Sequence, residues 1–221
     1  MYKGNNTISS VIKGSSNIAK ILFNSVEVWR KGLLPDGYTR CEYLESTGTQ
    51  YINTGIMGIV QKIETEFQVT KIASSQSHLF GVADSDYQNT LRFGITADNK
   101  WFFGSIATIG STTITSFSAD LLKHSLSVIV PNAILDEINI QGVGTPTLTK
   151  KPLFIFARSR QVAELFGYFK IYSFKIYQND NLVRDYIPCL DNNNRPCMYD
   201  MVSKQTFYNQ GTGEFLYAVA K

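Results

Sequence analysis

The chain has 221 residues, of which 43% are hydrophobic and 13% aromatic, too large an apolar share for a disordered chain. The formal net charge is only +3, from 21 basic and 18 acidic residues, and no basic stripe with interleaved aromatic residues occurs. These features exclude wholesale disorder and argue against a partner that is a nucleic acid. No run of about 18 apolar residues and no apolar leader occurs, so neither membrane insertion nor a signal peptide is expected.

A repeat with a period of ten residues opens the chain, in the segments Tyr2–Ile8, Ile12–Ile18 and Leu22–Val28. Each unit starts with an apolar residue, has glycine or asparagine at its third position and ends on a β-branched residue. Glycine and asparagine tolerate positive φ angles, so the pattern predicts tight turns between short strands.

A segment of 1–31 is too short to build a core of its own, so its apolar face must be buried against another surface. Five lysine and arginine residues against one glutamate give this segment a net charge of +4, whereas the rest of the chain is nearly neutral. We predict attachment or oligomerisation through this face, with packing on the following domain as the alternative. The residues expected to make it are Ile8, Ile12, Ile18, Leu22, Val28 and Trp29.

Residues 32–37 contain proline and glycine and are predicted to be a linker, followed by one domain over residues 38–221. That domain contains many short runs rich in β-branched and aromatic residues at intervals near ten residues, which indicates an all-β sandwich or jelly roll. No long segment has helical periodicity, and the best candidate for a short helix, of one or two turns at most, is Ser159–Leu165. The predicted strands are Gln50–Thr54, Ile63–Thr70, His78–Val82, Thr90–Ile95, Trp101–Ile106, Ser125–Val130, Ile134–Ile140, Leu153–Ala157, Phe166–Tyr177 and Leu182–Ile187.

The apolar phase changes within Phe166–Tyr177. Phe169 and Ile171 belong to one alternation, and Phe174 and Ile176 belong to the other. This predicts a β-bulge, or a strand that is buried on both faces.

The predicted chemistry is sparse. Cysteines number three, Cys41, Cys189 and Cys197, so a disulfide framework is not expected, and a bridge between the last two stays open against two reduced thiols. The oxygen-rich loops Asp84–Asp86 and Asp191–Asn194 could ligate calcium, but aspartate and asparagine are equally the residues of metal-free turns. We therefore expect no metal and no cofactor.

Glycoside hydrolysis is the enzymatic activity to consider, because it uses a pair of carboxylates. Glu64 and Glu66 lie on one face of a predicted strand and could form such a pair. A third acid is missing, since Val69 stands where it would be, and flanking tryptophans are absent. The alternative is a solvent-exposed face opposite core residues, and the chain is predicted not to be an enzyme. The core residues of that alternative are Ile63, Thr65, Phe67 and Val69.

Carbohydrate binding without catalysis needs an exposed aromatic ring beside amide and carboxylate groups. Trp101 and Tyr87 are candidate rings, and the predicted polar groups of such a glycan site are Asn89, Asp98 and Asn99. The alternative is that the run Trp101–Phe103 belongs to the core.

Two passages carry a family resemblance: Leu34–Gly55, and Gly167–Cys189 with its continuation through Met198–Val202 and Phe207–Gly213. They resemble the concanavalin A-like or laminin-G-like (LamG-like) jelly-roll domains of phage and prophage structural proteins from gut bacteria. The repeats before them are similar to a module of phage fibre proteins, and the combination resembles a head fibre of a crAss-like phage. The resemblance covers residues 34–221 in order.

This resemblance implies an all-β, concanavalin A-like jelly-roll sandwich and a virion setting, with synthesis in the cytoplasm of a bacterial host. The implied function is that of a non-enzymatic head or tail fibre or capsid decoration protein, whose partners are capsid or tail proteins and copies of itself, with a homotrimer favoured. Adhesion to a host-surface polysaccharide can coexist with this role. The alternatives are a bacterial or prophage carbohydrate-binding adhesin and, third, a glycoside hydrolase.

Overall fold

The computed structural model of the protein describes residues 2–3, 7–8, 20–23, 26–30, 34–84, 89–106, 112–142 and 148–220. The chain divides into two compact units, residues 1–36 and residues 37–221. In the first unit, Tyr2–Lys3 (β1) pairs with Thr7–Ile8 (β2), and Lys20–Phe23 (β3) pairs with Val26–Arg30 (β4). These two hairpins lie where the first and third sequence repeats predict turns between short strands.

The second unit consists of strands and the loops between them. Its strands, in chain order, are β5 (Thr39–Glu45), β6 (Ile52–Asn53), β7 (Lys62–Val69), β8 (Ser77–Ala83), β9 (Thr90–Ile95), β10 (Lys100–Ile106), β11 (Thr113–Ser118), β12 (Lys123–Ile129), β13 (Asn132–Leu135), β14 (Ile138–Ile140), β15 (Phe154–Ile155), β16 (Arg158–Ser159), β17 (Ala163–Glu164), β18 (Phe169–Gln178), β19 (Asn181–Leu190), β20 (Pro196–Asp200), β21 (Gln205–Tyr208) and β22 (Leu216–Val219). Among the described residues, no helix has the length and hydropathy needed to cross a membrane.

These strands form two sheets. The large sheet has the order β14-β13-β12-β7-β18-β5-β19-β20-β21, with β22 also paired to β5. The small sheet has the order β11-β10-β9-β8-β15-β6, and β16 and β17 extend it beside β8. Neighbouring strands are antiparallel except for β16, which runs parallel to β8.

The inner faces of the two sheets bury one shared core. Along β7, Ile63, Thr65, Phe67 and Val69 are all at most 4% exposed, whereas the residues between them point outward. Phe67 of the large sheet contacts the rings of Phe93 and Trp101 in the small sheet, with centroids 5.8–6.1 Å apart. Edge-to-face contacts of this kind prefer such spacings and hold the sheets in one relative position. The chain is therefore an all-β jelly-roll sandwich of the concanavalin A-like type, as predicted.

A β-bulge explains the change of apolar phase in β18. Ile171 pairs with Phe67 of β7, but the next paired residue is Ser173, opposite Glu66, so Tyr172 is an extra residue in the strand. The bulge lets residues of both alternations point inward, and all four are completely buried: Phe169, Ile171, Phe174 and Ile176. The predicted bulge is confirmed.

The short helix predicted over Ser159–Leu165 is wrong. In its place β16 and β17 form a hairpin, in which Arg158 lies opposite Glu164 and their side chains form an ion pair at 2.6 Å. Residues six apart do not face each other on a helix, so only the hairpin allows this pair.

The single strand predicted over Ile134–Ile140 is two strands, β13 and β14. Asp136 and Glu137 turn the chain at positive φ angles of 46° and 72°. The Asp136 carboxylate accepts hydrogen bonds from the Ser125 backbone N–H and from the ring of His124, which holds the turn.

Candidate functional site

The predicted attachment residues lie on the first unit, whose side chains are not among the described features. Ile8 belongs to β2, Leu22 to β3, and Val28 and Trp29 to β4. Ile12 and Ile18 lie outside the described residues. The attachment role of this set therefore stays a prediction.

Trp101 lies in the core and not on the surface. It is 1% exposed, and its ring stacks on Phe93 and meets His124 edge to face. Phe102 and Phe103 beside it are also fully buried. The interpretation of Trp101–Phe103 as core is confirmed, and Trp101 cannot stack against a sugar from solvent.

The remaining residues predicted for a glycan site do not converge. Asn89 lies just before β9, whereas Asp98 and Asn99 lie beyond its other end, about 20 Å away at the rise of an extended strand. The Asn89 amide donates a hydrogen bond to Asp84 at 2.8 Å and so closes its own loop. Tyr87 lies outside the described residues.

Glu64 and Glu66 project from the outer face of β7 into ion pairs. Glu64 lies 2.6 Å from the Lys62 ammonium and accepts a hydrogen bond from the Tyr177 hydroxyl at 2.7 Å. Partial burial would raise the pKa of Glu64, but these two hydrogen bonds outweigh it and lower that pKa below its ordinary value. A general acid in a glycosidase needs the opposite shift.

The loop Asp191–Asn194 has the geometry of an Asx turn. The Asp191 carboxylate accepts hydrogen bonds from the backbone N–H groups of Asn193 and Arg195, at 2.8 and 2.9 Å, and from the Tyr208 hydroxyl. Protein donors therefore surround this carboxylate. Among the described residues, no group of three or more histidine, cysteine or acidic side chains is arranged to hold a metal ion.

An open cleft of about 380 Å³ lies beside the start of β8, and it has the size of a small-ligand site. Three separate parts of the chain meet there: the loop at Gly48, the segment between β7 and β8, and the segment between β17 and β18. Its described lining consists of Gly48, Lys71, Ala73, Ser74, Ser75, Gln76, Leu165, Phe166 and Tyr168.

Lys71 and Tyr168 form a fixed pair within the cleft. The Lys71 ammonium lies 4.9 Å from the centre of the Tyr168 ring, a cation–π distance. Tyr168 packs flush against Gly48, where a Cβ atom would approach the ring to 2.5 Å, and the φ of +98° at Gly48 also favours glycine. This packing holds the tyrosine ring, over which the ammonium group of the exposed Lys71 lies.

The rings of Tyr51, Phe154 and Phe166 form a cluster at one wall of the cleft. Tyr51 stacks on Phe154 with centroids 4.6 Å apart and tilts against Phe166 at 6.0 Å. Phe166 lines the cleft itself. The polar cluster Ser74–Gln76 between two strands is visible in the sequence, but only the fold brings it to Tyr168 and Phe166.

A charged layer lies on the outer face of the small sheet, next to the cleft. His78 is fully buried there, and neither of its ring nitrogens has a hydrogen-bond partner among the residues that the structure describes. Burial, together with the nearby Arg158 and Arg92, lowers the pKa of His78 well below 6.5. A Cβ at Gly81 would lie 3.0 Å from the imidazole and 3.1 Å from the Arg158 Cβ, so glycine makes the room for both.

Two strained residues hold the β16–β17 hairpin over this layer. Phe156 and Leu165 have φ angles of 68° and 54°, which cost large apolar residues about 1–3 kcal/mol each. Hydrogen bonds offset the strain: the Phe156 N–H donates to Leu79, and the Leu165 carbonyl accepts from the His78 N–H, at 2.7 and 3.0 Å. The hydrogen bond to Leu165, with one from the Gly167 N–H to the Phe156 carbonyl at 2.7 Å, fixes the start of the segment Leu165–Tyr168 along the cleft.

Comparison with known proteins gives distant structural likeness alone. No protein-family model and no curated protein matches the chain. Among solved structures, domains LG4-5 of the mouse laminin α1 chain align over 85% of this chain and 48% of that chain, with a TM-score of 0.42 and 13% identity. The chain thus spans about half the length of the laminin chain.

A second solved structure is SCP-B, a member of the Eqolisin family of peptidases, in a complex with the tripeptide Ala-Ile-His. It aligns over 79% of this chain and 100% of that chain, with a TM-score of 0.34 and 11% identity. At these scores neither likeness bears on activity, and the fold assignment stands on strand order and pairing.

Proposed function

We propose that the chain is a non-enzymatic virion structural protein, a head or tail fibre or capsid decoration protein. Residues 1–31 attach it to the particle, and the sandwich is displayed outward. The observation that carries the proposal is the division into a small unit, residues 1–36, and a much larger one, residues 37–221. The sequence resemblance to phage fibre proteins supports the same role.

The size of the first unit supports the proposed attachment role. A segment of this length buries too little apolar surface to be stable alone, so association with a partner supplies the missing burial. The partner is a set of symmetric copies, a trimer by analogy with fibres, or a capsid or tail protein. The net charge of +4 on residues 1–31 favours approach to an acidic surface.

The cleft is the surface that we propose for contact with a host polysaccharide. Lys71, Ser74, Ser75 and Gln76 offer hydrogen-bond donors there, and the described lining includes no carboxylate. Such a site suits a sugar that carries an acceptor of its own, such as the carboxylate of an acidic sugar. A bacterial adhesin with the same cleft is the second candidate function.

Deleting residues 1–31 tests the attachment role. The truncated protein is expected to stay soluble and folded but to be missing from particles assembled in its presence, as measured by mass spectrometry of purified virions. The full-length protein carrying Lys71→Gln is the control and should be incorporated normally. Incorporation of the truncated protein at the full-length level would contradict the proposal.

The glycan role is tested on an array of acidic and neutral polysaccharides. Lys71→Gln should weaken binding of an acidic glycan about tenfold, the effect of losing one hydrogen bond to a charged group. Lys123→Gln is a matched control, since Lys123 also lies over a tyrosine ring, 4.1 Å from the centre of Tyr172, on the outer face of the large sheet. Equal losses for both variants, or an array without binding, would remove the cleft from the proposal.

A further inference from the structure

Two thiols face each other in the large sheet. Cys189 of β19 and Cys197 of β20 are directly opposite in the antiparallel register, and their Sγ atoms lie 3.5 Å apart. Each thiol also lies within hydrogen-bonding distance of the other residue's backbone carbonyl, at 3.5–3.6 Å. Both side chains are fully buried.

We infer that Cys189 and Cys197 are a cross-linking site, at which a small disulfide such as oxidised glutathione converts the reduced pair into an intramolecular disulfide. Directly opposite residues of antiparallel strands have Cα atoms about 4.5–5.5 Å apart, within the range of about 4.4–6.8 Å that a disulfide spans. The sulfurs need to approach by only about 1.5 Å to reach bonding distance, which side-chain rotation can supply.

The turn between the two cysteines keeps them opposed. Asp191 follows β19 directly, and its carboxylate holds the N–H groups of Asn193 and Arg195, while its own backbone N–H donates to the Arg195 carbonyl at 3.0 Å. The pair is therefore prepositioned by a closed turn, and no strand has to change register.

The exchange has two steps. One cysteine, as its thiolate, attacks oxidised glutathione, forms a mixed disulfide and releases one glutathione thiolate. The other cysteine loses its proton to solvent and attacks the protein sulfur of the mixed disulfide, which releases the second glutathione. Two protein thiols are oxidised, and one disulfide is reduced to two thiols.

Burial of the two sulfurs should make the reaction with oxidised glutathione slow. Both sulfurs are closed to solvent, so glutathione reaches them only when β20 and β21 open locally. Cys41 of β5 is the third buried thiol, and its neighbour Arg40 pairs directly with Cys189 across β5 and β19. The variant Cys41→Ser therefore distinguishes the proposed bond from one that involves Cys41.

The test incubates the full-length protein with oxidised glutathione at 37 °C, then unfolds it and counts free thiols. Three thiols should fall to one in the natural chain and two to none in Cys41→Ser. Cleavage before aspartate should then yield the peptides 185–190 and 191–199 joined by a disulfide. Closing so short a loop should raise the Tm by about 5–10 °C.

Cys197→Ser supplies the matched control, in which neither the linked peptide nor the rise in Tm should appear. The inference is overturned if all three thiols persist at a temperature at which hydrogen exchange shows β20 opening. It is also overturned if the recovered bond joins Cys41 to either of the other cysteines.

Discussion

His78 is a residue whose environment departs strongly from its surroundings in water. Its imidazole is buried on the outer face of the small sheet beside Arg92 and Arg158, and neither ring nitrogen has a hydrogen-bond partner within the described part of the chain. His124, the other buried histidine, has its ring between Asp120 and Asp136. Burial and hydrogen bonds act in opposite directions on Asp136: burial would raise its pKa, but hydrogen bonds from His124 and Ser125 lower it. The same residue type therefore occupies two opposite electrostatic settings.

The setting of His78 predicts a loss of stability in mild acid. Below pH 6.5 the unfolded chain binds a proton at this position, whereas the folded chain, whose pKa is lower, does not. The free energy of unfolding should fall by up to about 1.4 kcal/mol per pH unit from this site. Urea unfolding between pH 7.5 and 5.0 measures it, and His78→Phe should remove the slope.

His124→Gln is the control for that experiment, because it removes a buried histidine whose ring has two carboxylate partners. Its unfolding free energy should keep the acid-dependent fall that His78 causes. If the unfolding free energies of the natural chain and of His78→Phe depend on pH with the same slope, the prediction is contradicted. His78 would then bind its proton in the folded state as readily as in the unfolded state.

At the scale of elements, β18 organises the large sheet. Its first half pairs with β5, through Lys170 and Ile171, and its second half pairs with β19 from Phe174 onward. The bulged residue Tyr172 lies where the partner changes. The extra residue thus keeps the apolar side chains on both sides of it pointing inward, and it marks the point at which β18 changes its pairing partner from β5 to β19.

Deleting Tyr172 should leave the protein folded, because the remaining residues of β18 then alternate regularly and keep the same four side chains inside. The cost should be about 1–2 kcal/mol, from the loss of the hydrogen bond to Gln68 and the contact with Lys123. Deleting Lys175 is the matched control, since it forces Phe174 or Ile176 outward and should cost at least about 4 kcal/mol. Urea unfolding and circular dichroism report both, and equal damage from the two deletions would contradict the role given to the bulge.

For the molecule as a whole, the buried residues that the structure describes lie in the second unit. The buried apolar cluster runs from Leu44 to Phe215 and draws on both sheets. The described strands of the first unit pair only with each other, β1 with β2 and β3 with β4. The sandwich therefore holds the contacts that a folded domain needs.

Residues 32–221 alone should unfold with a Tm within about 2 °C of the full-length sandwich transition, since this truncation keeps every core residue that the structure describes. Calorimetry measures the transition, and light scattering measures the mass of both proteins. We expect an oligomer for the full-length protein and a monomer for the truncated one. If both proteins are monomers, attachment must use a foreign partner. If the truncated protein does not fold, the first unit contributes to the stability of the sandwich, and the prediction is wrong.

Local pattern determined several of the strands and the fold class. β9 has the bounds that the sequence predicts, Thr90–Ile95, and the alternation in β7 placed its inward and outward faces correctly. Both features depend on the two-residue period of a strand, which a short window of sequence contains in full. The repeat pattern likewise predicted the hairpins β1–β2 and β3–β4, whereas their attachment role remains a prediction.

Only the tertiary structure decided which residues meet. The cleft joins Gly48, Lys71 and Tyr168 from distant parts of the chain, and burial of Trp101 removed one of the two rings proposed for the predicted glycan site. The pairing of Cys189 with Cys197 required the register of β19 and β20, and the hairpin at Ser159–Leu165 required β8 beside it. These outcomes are set by strand order and register over long separations, which residue types within a short window do not encode.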